Sequence, residues 1–321
     1  MLINHLLSLT IAFVVDRIVG DPPSLPHPVK WIGALIAMLD KRFNQGHNRK
    51  WKGIVMLLIV LLIVYVPVIL ISTIAFWIHP IVGVIVEGIL IATTIAHKSL
   101  QDAALEVYHP LQTEDLHEAR LKLSYIVGRD TDQLDESEIV RGAIETVAEN
   151  TSDGVTAPMF WAWIGGAPLA LLYRAVNTCD SMVGYKNDNY HDFGWASARM
   201  DDVVNWIPSR LTGFIMLLVN RPQKTKVKTT WRILFRDAKK HPSPNSGWCE
   251  AAAAAILGVQ LGGVNTYNGM VSNRALMGES LYPLERNDII KVNTILARTT
   301  FSFLLLLWLG GMLIEMAITW F

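Results

Sequence analysis

Charged side chains are scarce in this 321-residue chain. They make up 17% of its residues, whereas an average soluble domain has about 25%. Hydrophobic residues make up 51%, a balance that excludes an ordinary soluble protein. The 28 basic and 28 acidic residues give no net charge, so no overall field draws the molecule to nucleic acid. The composition predicts a membrane protein with substantial polar parts and no nucleic-acid partner.

Cysteine is almost absent, and so are the common cofactor motifs. Cys179 and Cys249 are the only cysteines, and their separation gives neither a zinc-binding spacing nor a disulfide framework. The patterns GxxxxGK[ST], GxGxxG and HExxH do not occur. If the chain binds a nucleotide, the binding site therefore does not use any of these motifs. The first residues include no basic segment and no cleavage site, so we expect no removed signal peptide.

Long apolar segments predict transmembrane helices, because a bilayer requires about 20 mostly apolar residues. The clearest are 54–77, 81–96 and 300–321. Residues 2–15 are shorter, and they either span with tilt or lie partly buried. Segments 155–172 and 203–219 are broken by proline, glycine or asparagine, which is tolerated at membrane depth only against protein or a polar cavity. The predicted fold class is an all-α, polytopic membrane protein with about four to six apolar helices.

Basic residues predict the orientation in the membrane. They gather at 41–52 and 221–240, and short loops rich in Lys and Arg stay cytoplasmic. We expect one domain, with a cytoplasmic helical insertion at about 98–154 and a basic loop at about 221–249. Within the insertion, 113–127 predicts an amphipathic helix capped by Gly128, and a second helix begins at Ser137.

The second predicted helix has an apolar face and a charged face. The apolar residues are Ile139, Val140, Ala143, Ile144, Val147 and Ala148, and the opposite face carries Glu138, Arg141, Glu145 and Glu149. This spacing is typical of an amphipathic helix. No alternating strand pattern and no internal repeat is visible.

Four polar stretches border the apolar segments, and each has two interpretations. In "ETVAENTSDG", carboxylates beside an amide suit Mg²⁺ with substrate phosphates, or they form a solvated and capped helix end. In "LLYRAVNTCDSMVGYKND", polar residues near hydrocarbon line a cavity, or Arg174 simply pairs with Asp180. In "SARMDDVVNWIPSR", paired aspartates bind a metal, or they favour a helix dipole. In "HPSPNSGWCE", a helix start holds an anion, or it is only a turn and cap.

The chain resembles the CobD/CbiB family, the adenosylcobinamide-phosphate synthases of cobalamin biosynthesis. The resemblance runs nearly end to end, through "DRIVGDPPSLPHPVKWIG", "LKLSYIVGRDTDQLDESEIVRGAIETVAENTSDGVTAPMFW", "GGAPLALLYRAVNTCDSMVGYKND", "FGWASARMDDVVNWIPSRL" and "HPSPNSGWCEAAAAAILGVQLGG". It implies an integral membrane carbon–nitrogen ligase. Such an enzyme joins aminopropanol, usually as its phosphate, to the remaining propionate carboxylate of the corrinoid adenosylcobyric acid, and ATP drives the reaction.

With this activity in view, side-chain chemistry suggests roles for the polar residues. We expect Mg²⁺ to be held by Glu149, Asp153, Asp201 and Asp202. The expected catalytic residues are Glu145 or Asp180 as base, with Lys186 and Arg199 neutralising phosphoryl charge. The expected substrate-binding residues are Arg141, Asn150, Arg174, Asn177, Tyr185, His241, Ser243 and Asn245. The expected partners are the corrinoid, aminopropanol or its phosphate, the lipid bilayer and other membrane enzymes of the pathway.

The two broken segments pose a conflict. If 155–172 and 203–219 both cross the bilayer, residues 177–202 emerge outside, away from cytoplasmic ATP. We therefore expect these segments to enter and return, or to lie buried among the true spans. Two other classes stay open: a transporter, although no inverted halves are visible, and a noncatalytic sensor or scaffold.

Overall fold

The computed structural model describes residues 2–22, 27–222, 224–267 and 269–320. The structure is 74% helical, which confirms the predicted helical membrane class. In chain order the helices and strands are α1 (Leu2–Ile18), α2 (Pro28–Phe43), α3 (Arg49–Ile78), α4 (Pro80–Ala92), α5 (His97–Gln112), α6 (Leu116–Ser124), α7 (Glu136–Asn150), α8 (Ala157–Val183), α9 (Trp195–Val204), α10 (Trp206–Val219), α11 (Val227–Asp237), α12 (Ser246–Leu257), β1 (Gln260–Tyr267), β2 (Met270–Gly278) and α13 (Asn287–Trp320).

Within the described residues, four helical stretches are long and apolar enough to cross a membrane. They are Arg49–Ile78, Pro80–Gln112, Glu136–Val183 and Asn287–Ile318, and α9 with α10 forms a fifth candidate, bent by 47°. Only 22% of the most apolar window of the first and last stretches is buried, so most of those side chains are free to meet lipid. A multi-pass membrane protein is therefore confirmed.

The chain divides into two compact units. The first unit comprises Met1–Ala96, Gly154–Asn205 and Leu304–Phe321, and the second comprises His97–Asp153 and Trp206–Phe303. In the first unit, α8 packs against α1, α2, α3, α4 and α9. This helix is therefore the core element of its unit, although the sequence predicted it only as a broken segment.

A break in the middle of α8 is stabilised by a buried carboxylate. Gly165 and Gly166 leave the helical conformation, and Gly166 has φ +62°. Glu87 of α4, which is 1% exposed, accepts a hydrogen bond from the Ala167 N–H at 3.2 Å and another from His5 Nδ1 at 2.9 Å. The carboxylate thus satisfies an N–H that the break frees, as membrane depth demands.

Replacing Gly166 with alanine is expected to destabilise the protein. A Cβ there would lie 1.9 Å from Glu87 Oε1, and the positive φ disfavours any side chain. Strain and overpacking together predict a loss of about 2–5 kcal/mol, seen as a lower thermal midpoint in detergent. Gly310→Ala is the control, because its Cβ would make only an ordinary contact of 3.5 Å. Equal midpoints for the two variants would contradict this description of the break.

The second unit is built around α7 and α12. The predicted apolar face of α7 is fully buried, and the helix begins at Glu136, one residue before the predicted start. Every residue of α12 is buried, and its run of alanines lets α7, α10 and α11 pack closely on it. The alternative of a solvated helix face is wrong for Glu145, since this residue is 3% exposed.

Three local predictions for the second unit are also wrong. Strands β1 and β2 form an antiparallel hairpin with an irregularity between Leu261 and Gly263, where no strand was predicted. Helix α6 ends at Ser124 with Tyr125 as C-cap, so Gly128 is not its cap. The stretch predicted as a basic loop includes α11 and a 3₁₀ turn, Ala238–Lys240. Glycines in β1 and short helices in basic sequence weaken the periodic patterns on which such predictions depend.

Candidate functional site

The predicted site residues fall into two groups, one in each unit. The aspartate cluster comprises Arg174, Asn177, Asp180, Tyr185, Lys186, Arg199, Asp201 and Asp202 in the first unit. The glutamate network comprises Arg141, Glu145, Glu149, Asn150, Asp153, His241, Ser243 and Asn245 in the second unit. The meeting of the two groups in one pocket stays a prediction.

The loop that leads into α9 is anchored to the helices of the first unit. Phe193 is completely buried, and a Cβ at Gly53 of α3 would lie 1.8 Å from the Phe193 carbonyl oxygen. The Tyr190 hydroxyl donates a hydrogen bond to Asp40 of α2 at 3.0 Å. Lys50 lies 3.9 Å above the ring of Trp195. These contacts fix the connection between α8 and α9, and with it the polar residues at both ends.

The aspartate cluster is held between α8 and α9. Arg174 Nη1 donates to Asn177 Oδ1 at 3.4 Å, and Asn177 Nδ2 donates to Asp201 Oδ1 at 3.4 Å. One turn beyond, the buried Tyr173 hydroxyl donates to Asn205 at 2.8 Å. The structure therefore brings together three predicted residues, Arg174, Asn177 and Asp201, from two separate stretches of sequence.

The rest of the aspartate cluster is more accessible. Arg199 Nη1 lies 3.4 Å from Asp202 Oδ2, and both Tyr185 and Lys186 are exposed in the loop after α8. Lys186 and Arg199 are well placed to meet a polyanionic substrate, because side chains of Lys and Arg reach phosphate oxygens as donors.

Magnesium fits the aspartate cluster only as a partner of substrate phosphates. No group of three or more His, Cys, Asp or Glu side chains in the described part of the chain gathers as a metal site. Mg²⁺ in nucleotide sites needs only one or two carboxylates, since phosphates and water fill its other positions. Either Asp201 or Asp202 of α9 alone would meet that smaller requirement.

In the glutamate network, Glu145 is firmly anchored. Its Oε1 accepts a hydrogen bond from the Gly262 N–H at 2.8 Å, and its Oε2 pairs with Arg129. Asn265 Oδ1 accepts from both Arg129 Nη1 at 2.8 Å and Arg141 Nη2 at 3.2 Å. The carboxylate, two guanidinium groups and one amide tie α7 to β1 within the second unit.

The same network contains a second, protonatable part. Ser246 Oγ donates to Glu149 Oε1 at 2.8 Å, and His241 Nε2 lies 3.4 Å from Glu250 Oε1. Burial raises the pKa of Glu250 well above its ordinary value, and the charges of Glu149 and Glu145 raise it further. Burial lowers the pKa of His241. Both shifts favour the uncharged forms, a protonated Glu250 carboxyl group beside a neutral His241 imidazole.

A pH dependence of stability follows from Glu250. The pKa of Glu250 is higher in the folded than in the unfolded protein. Its contribution to the free energy of unfolding is therefore complete when the pH is below the pKa of the unfolded state, and it is lost as the pH rises through the pKa of the folded state. The thermal midpoint of the wild type should therefore fall, relative to that of Glu250→Gln, as the pH is raised from about pH 5, just above the ordinary pKa of a glutamate. Glu106→Gln is the control, since that side chain is 61% exposed. A constant difference between wild type and Glu250→Gln over this range would contradict the raised pKa.

The start of α12 is a turn and cap. Ser243 Oγ accepts hydrogen bonds from the N–H groups of Asn245 at 3.2 Å and Ser246 at 3.3 Å. Asn245 Oδ1 accepts from Arg210 Nη1 at 3.3 Å, and the Ser243 N–H donates to His241 Nδ1 at 3.0 Å. Two N–H groups that an anion would need are thus already paired. Of the two interpretations, the turn and cap therefore describes this segment.

The end of α7 holds the other two predicted residues. The Asn150 side-chain amide donates to the Thr146 carbonyl at 2.9 Å within the helix. Asp153 lies in a π-helical turn, Thr151–Thr156, that follows α7. Such turns are rare in proteins as a whole, but those that occur are often at functional sites. Asp153 therefore stays a candidate site residue.

Sequence reasoning missed Arg129, Glu250 and Asn265. Arg129 and Asn265 are 136 positions apart, and Asn265 lies in a hairpin that was not predicted. Glu250 stands at the start of an alanine-rich helix, where a carboxylate also has an ordinary explanation in the helix dipole. Only its complete burial marks it as unusual.

Comparison with known proteins places the chain in one family. The model described as CobD/Cbib protein matches residues 9–296. Cobalamin biosynthesis protein CobD of Halalkalibacterium halodurans is 57% identical over 312 residues, which cover 97% of this chain and 98% of that protein. CobD of Clostridium perfringens is 44% identical, covering 92% and 95%, and CbiB of Salmonella paratyphi B is 44% identical, covering 88% and 90%. No solved structure gives a significant match. The chain therefore belongs to the CobD/CbiB protein family.

Proposed function

We propose that this chain is a membrane ligase of cobalamin biosynthesis. It joins aminopropanol, or aminopropanol phosphate, to the remaining propionate carboxylate of adenosylcobyric acid at the expense of ATP. The observation that supports this most is the aspartate cluster, where acidic and basic side chains gather beside a bundle of apolar helices. The names of the relatives support the pathway, and the resemblance of the motifs supports the reaction.

The reaction requires activation of both partners. A carboxylate anion is a poor electrophile, and an ammonium ion is no nucleophile. In the proposed route, the carboxylate oxygen attacks the γ-phosphorus of ATP, which forms an acyl phosphate and releases ADP. The amine nitrogen then attacks the acyl carbon, the carbon–oxygen bond to phosphate breaks, and the amine loses a proton. The products are the amide, ADP and inorganic phosphate.

The residues of the aspartate cluster have distinct roles in this route. Lys186 and Arg199 neutralise charge on the transferred phosphoryl group. Asp201 and Asp202 hold the magnesium ion, which supplies charge neutralisation on the phosphates when bound. Asp180 accepts the proton of the amine. We prefer it to Glu145 as the base, because both oxygens of Glu145 are already occupied.

The proposed site faces the cytoplasm, where ATP is available. The basic residues of 41–52 and 221–240 favour a cytoplasmic position for those segments. Cysteine introduced at Asp188, an exposed residue of the loop before α9, tests the side directly. Labelling by an impermeant reagent from the cytoplasmic side alone is expected, and labelling from the outside alone would contradict the proposed orientation.

A reconstituted assay tests the function. Purified protein is incubated with adenosylcobyric acid, aminopropanol phosphate and Mg-ATP, and the corrinoid is analysed by mass spectrometry. A mass increase equal to amide formation is expected, and it should depend on ATP. Transport is the rival function, since the break in α8 beside the buried Glu87 resembles the discontinuous helices of carriers. Corrinoid uptake into vesicles without ATP and without conversion would support the rival.

A further inference from the structure

A basic pocket in the second unit belongs to neither group of candidate site residues. Its volume is about 160 Å³, room for about five water molecules. It lies where α10 and α12 end and α13 begins. The residues that line it are Asn220, Arg221, Ile256, Leu257, Lys291, Thr294, Ile295 and Arg298.

The lining carries an excess of positive charge. Lys291 is paired with Asp288, whose Oδ1 lies 2.7 Å from Lys291 Nζ. Arg221 and Arg298 are exposed, and neither forms a hydrogen bond or ion pair with any residue that the structure describes. The C-terminal ends of α10 and α12 favour cations nearby, but this leaves the guanidinium N–H groups without acceptors. Two unpaired guanidinium groups at one pocket favour a phosphate, whose oxygens match their geometry.

A buried acceptor lies in the same pocket. Asn220 is 3% exposed, and its Nδ2 donates to the Met216 carbonyl at 3.0 Å and to Thr299 Oγ1 at 3.4 Å. These donors fix the orientation of the amide, and Asn220 Oδ1 is left without a hydrogen-bond partner. An unsatisfied buried acceptor is costly.

The pocket lies at the end of one candidate span and beside the first three turns of another. Helix α10 closes the bent candidate span and ends at Val219. In α13, Arg298 is followed directly by an apolar run that the sequence predicts to span the membrane from Thr300. Charged residues at the ends of spanning helices lie in the interfacial region, where the phosphates of lipids also lie.

We propose that this pocket binds the phosphate group of an alkyl phosphate. Arg221 and Arg298 donate to the phosphate oxygens. The apolar side chains of Ile256 and Leu257 contact the alkyl part. The same chemistry is offered by an anionic lipid headgroup and by a free phosphate, and the experiment separates these two sources.

Binding is measured through the thermal midpoint of the purified full-length chain in neutral detergent. One titration uses inorganic phosphate, a second uses dioctanoyl phosphatidylglycerol, and sodium chloride holds the ionic strength constant. A saturable rise with phosphatidylglycerol alone identifies a lipid site, and a rise with both ligands identifies a general phosphate site. No saturable rise with either ligand would overturn the proposal.

Variants locate the binding. Arg221→Gln combined with Arg298→Gln is expected to weaken the affinity by about tenfold or more, because two charge-assisted hydrogen bonds are lost. Lys228→Gln combined with Lys239→Gln is the matched control, since both lysines are exposed in the second unit and outside the pocket. Asn220→Asp keeps the size of the side chain and places a carboxylate in the pocket, so it should also weaken binding. Wild-type affinity in either pocket variant would contradict the assigned site.

Discussion

Replacing Asp201 with asparagine is expected to lower the rate of amide formation by about 10²-fold or more, the scale on which a fixed charge at the reacting phosphate acts. The side chain keeps its size, and the Asn177 amide still has an oxygen to bind. The carboxylate charge that we propose to hold magnesium on the phosphates is lost. The measurement is the initial rate of amide formation under saturating Mg-ATP, with the amount of membrane-inserted protein determined in parallel.

Asp192→Asn is the matched control for this variant. Asp192 belongs to the same polar stretch, its side chain is 63% exposed, and its ion-pair partner is His191 at 3.3 Å. The same chemical change at this position should leave the rate within about twofold, since exposed pairs contribute little. Equal rates for the two variants, at equal protein levels, would remove Asp201 from the proposed mechanism.

Replacing Arg129 with methionine is expected to destabilise the protein by about 3–5 kcal/mol, because the buried Glu145 carboxylate loses its closest cation and keeps only Arg141, whose Nε lies 4.0 Å away. The remaining donor to Glu145 is the Gly262 N–H, and Asn265 loses one of its two arginine donors. The thermal midpoint in detergent should fall accordingly. Adding Glu145→Leu to the Arg129→Met variant should recover part of the lost stability, because the buried carboxylate charge is then absent.

Lys122→Met is the control for the Arg129 variant. Lys122 also pairs with glutamates, Glu106 at 3.5 Å and Glu118 at 3.7 Å, but all three side chains are substantially exposed. Removing these two pairs should change stability by about 0.5 kcal/mol or less. A similar small effect for Arg129→Met would show that the buried pair does not tie α7 to β1.

The sequence predicted the apolar helices of this fold well, because a bilayer demands long apolar runs. It also predicted the buried face of α7, where six apolar residues repeat at helical spacing. The partners of buried charges escaped prediction. Nothing in the local pattern shows that Glu87 accepts the N–H of Ala167, 80 positions away. Long-range pairing of this kind depends on the tertiary fold rather than on periodicity.

The candidate site shows the same division. Polar residues at the ends of apolar segments were identified from the cost of charge near hydrocarbon, and the structure joins Asn177 with Asp201. One of the two interpretations put Glu145 on a solvated face, but Arg129 and the Gly262 N–H hold it in the interior. A carboxylate that belongs to the charged face of a helix can be buried only when a cation from elsewhere in the chain pairs with it. The sequence does not reveal which cation that is.

Oxygen isotope transfer tests the proposed activation of the propionate carboxylate as an acyl phosphate. Adenosylcobyric acid labelled with ¹⁸O in the remaining propionate carboxylate is incubated with the protein, aminopropanol phosphate and Mg-ATP. Activation of the carboxylate as an acyl phosphate predicts an amide that keeps one labelled oxygen and inorganic phosphate that carries the other. An unchanged corrinoid under all conditions, or an amide formed while the released phosphate stays unlabelled, would contradict the account.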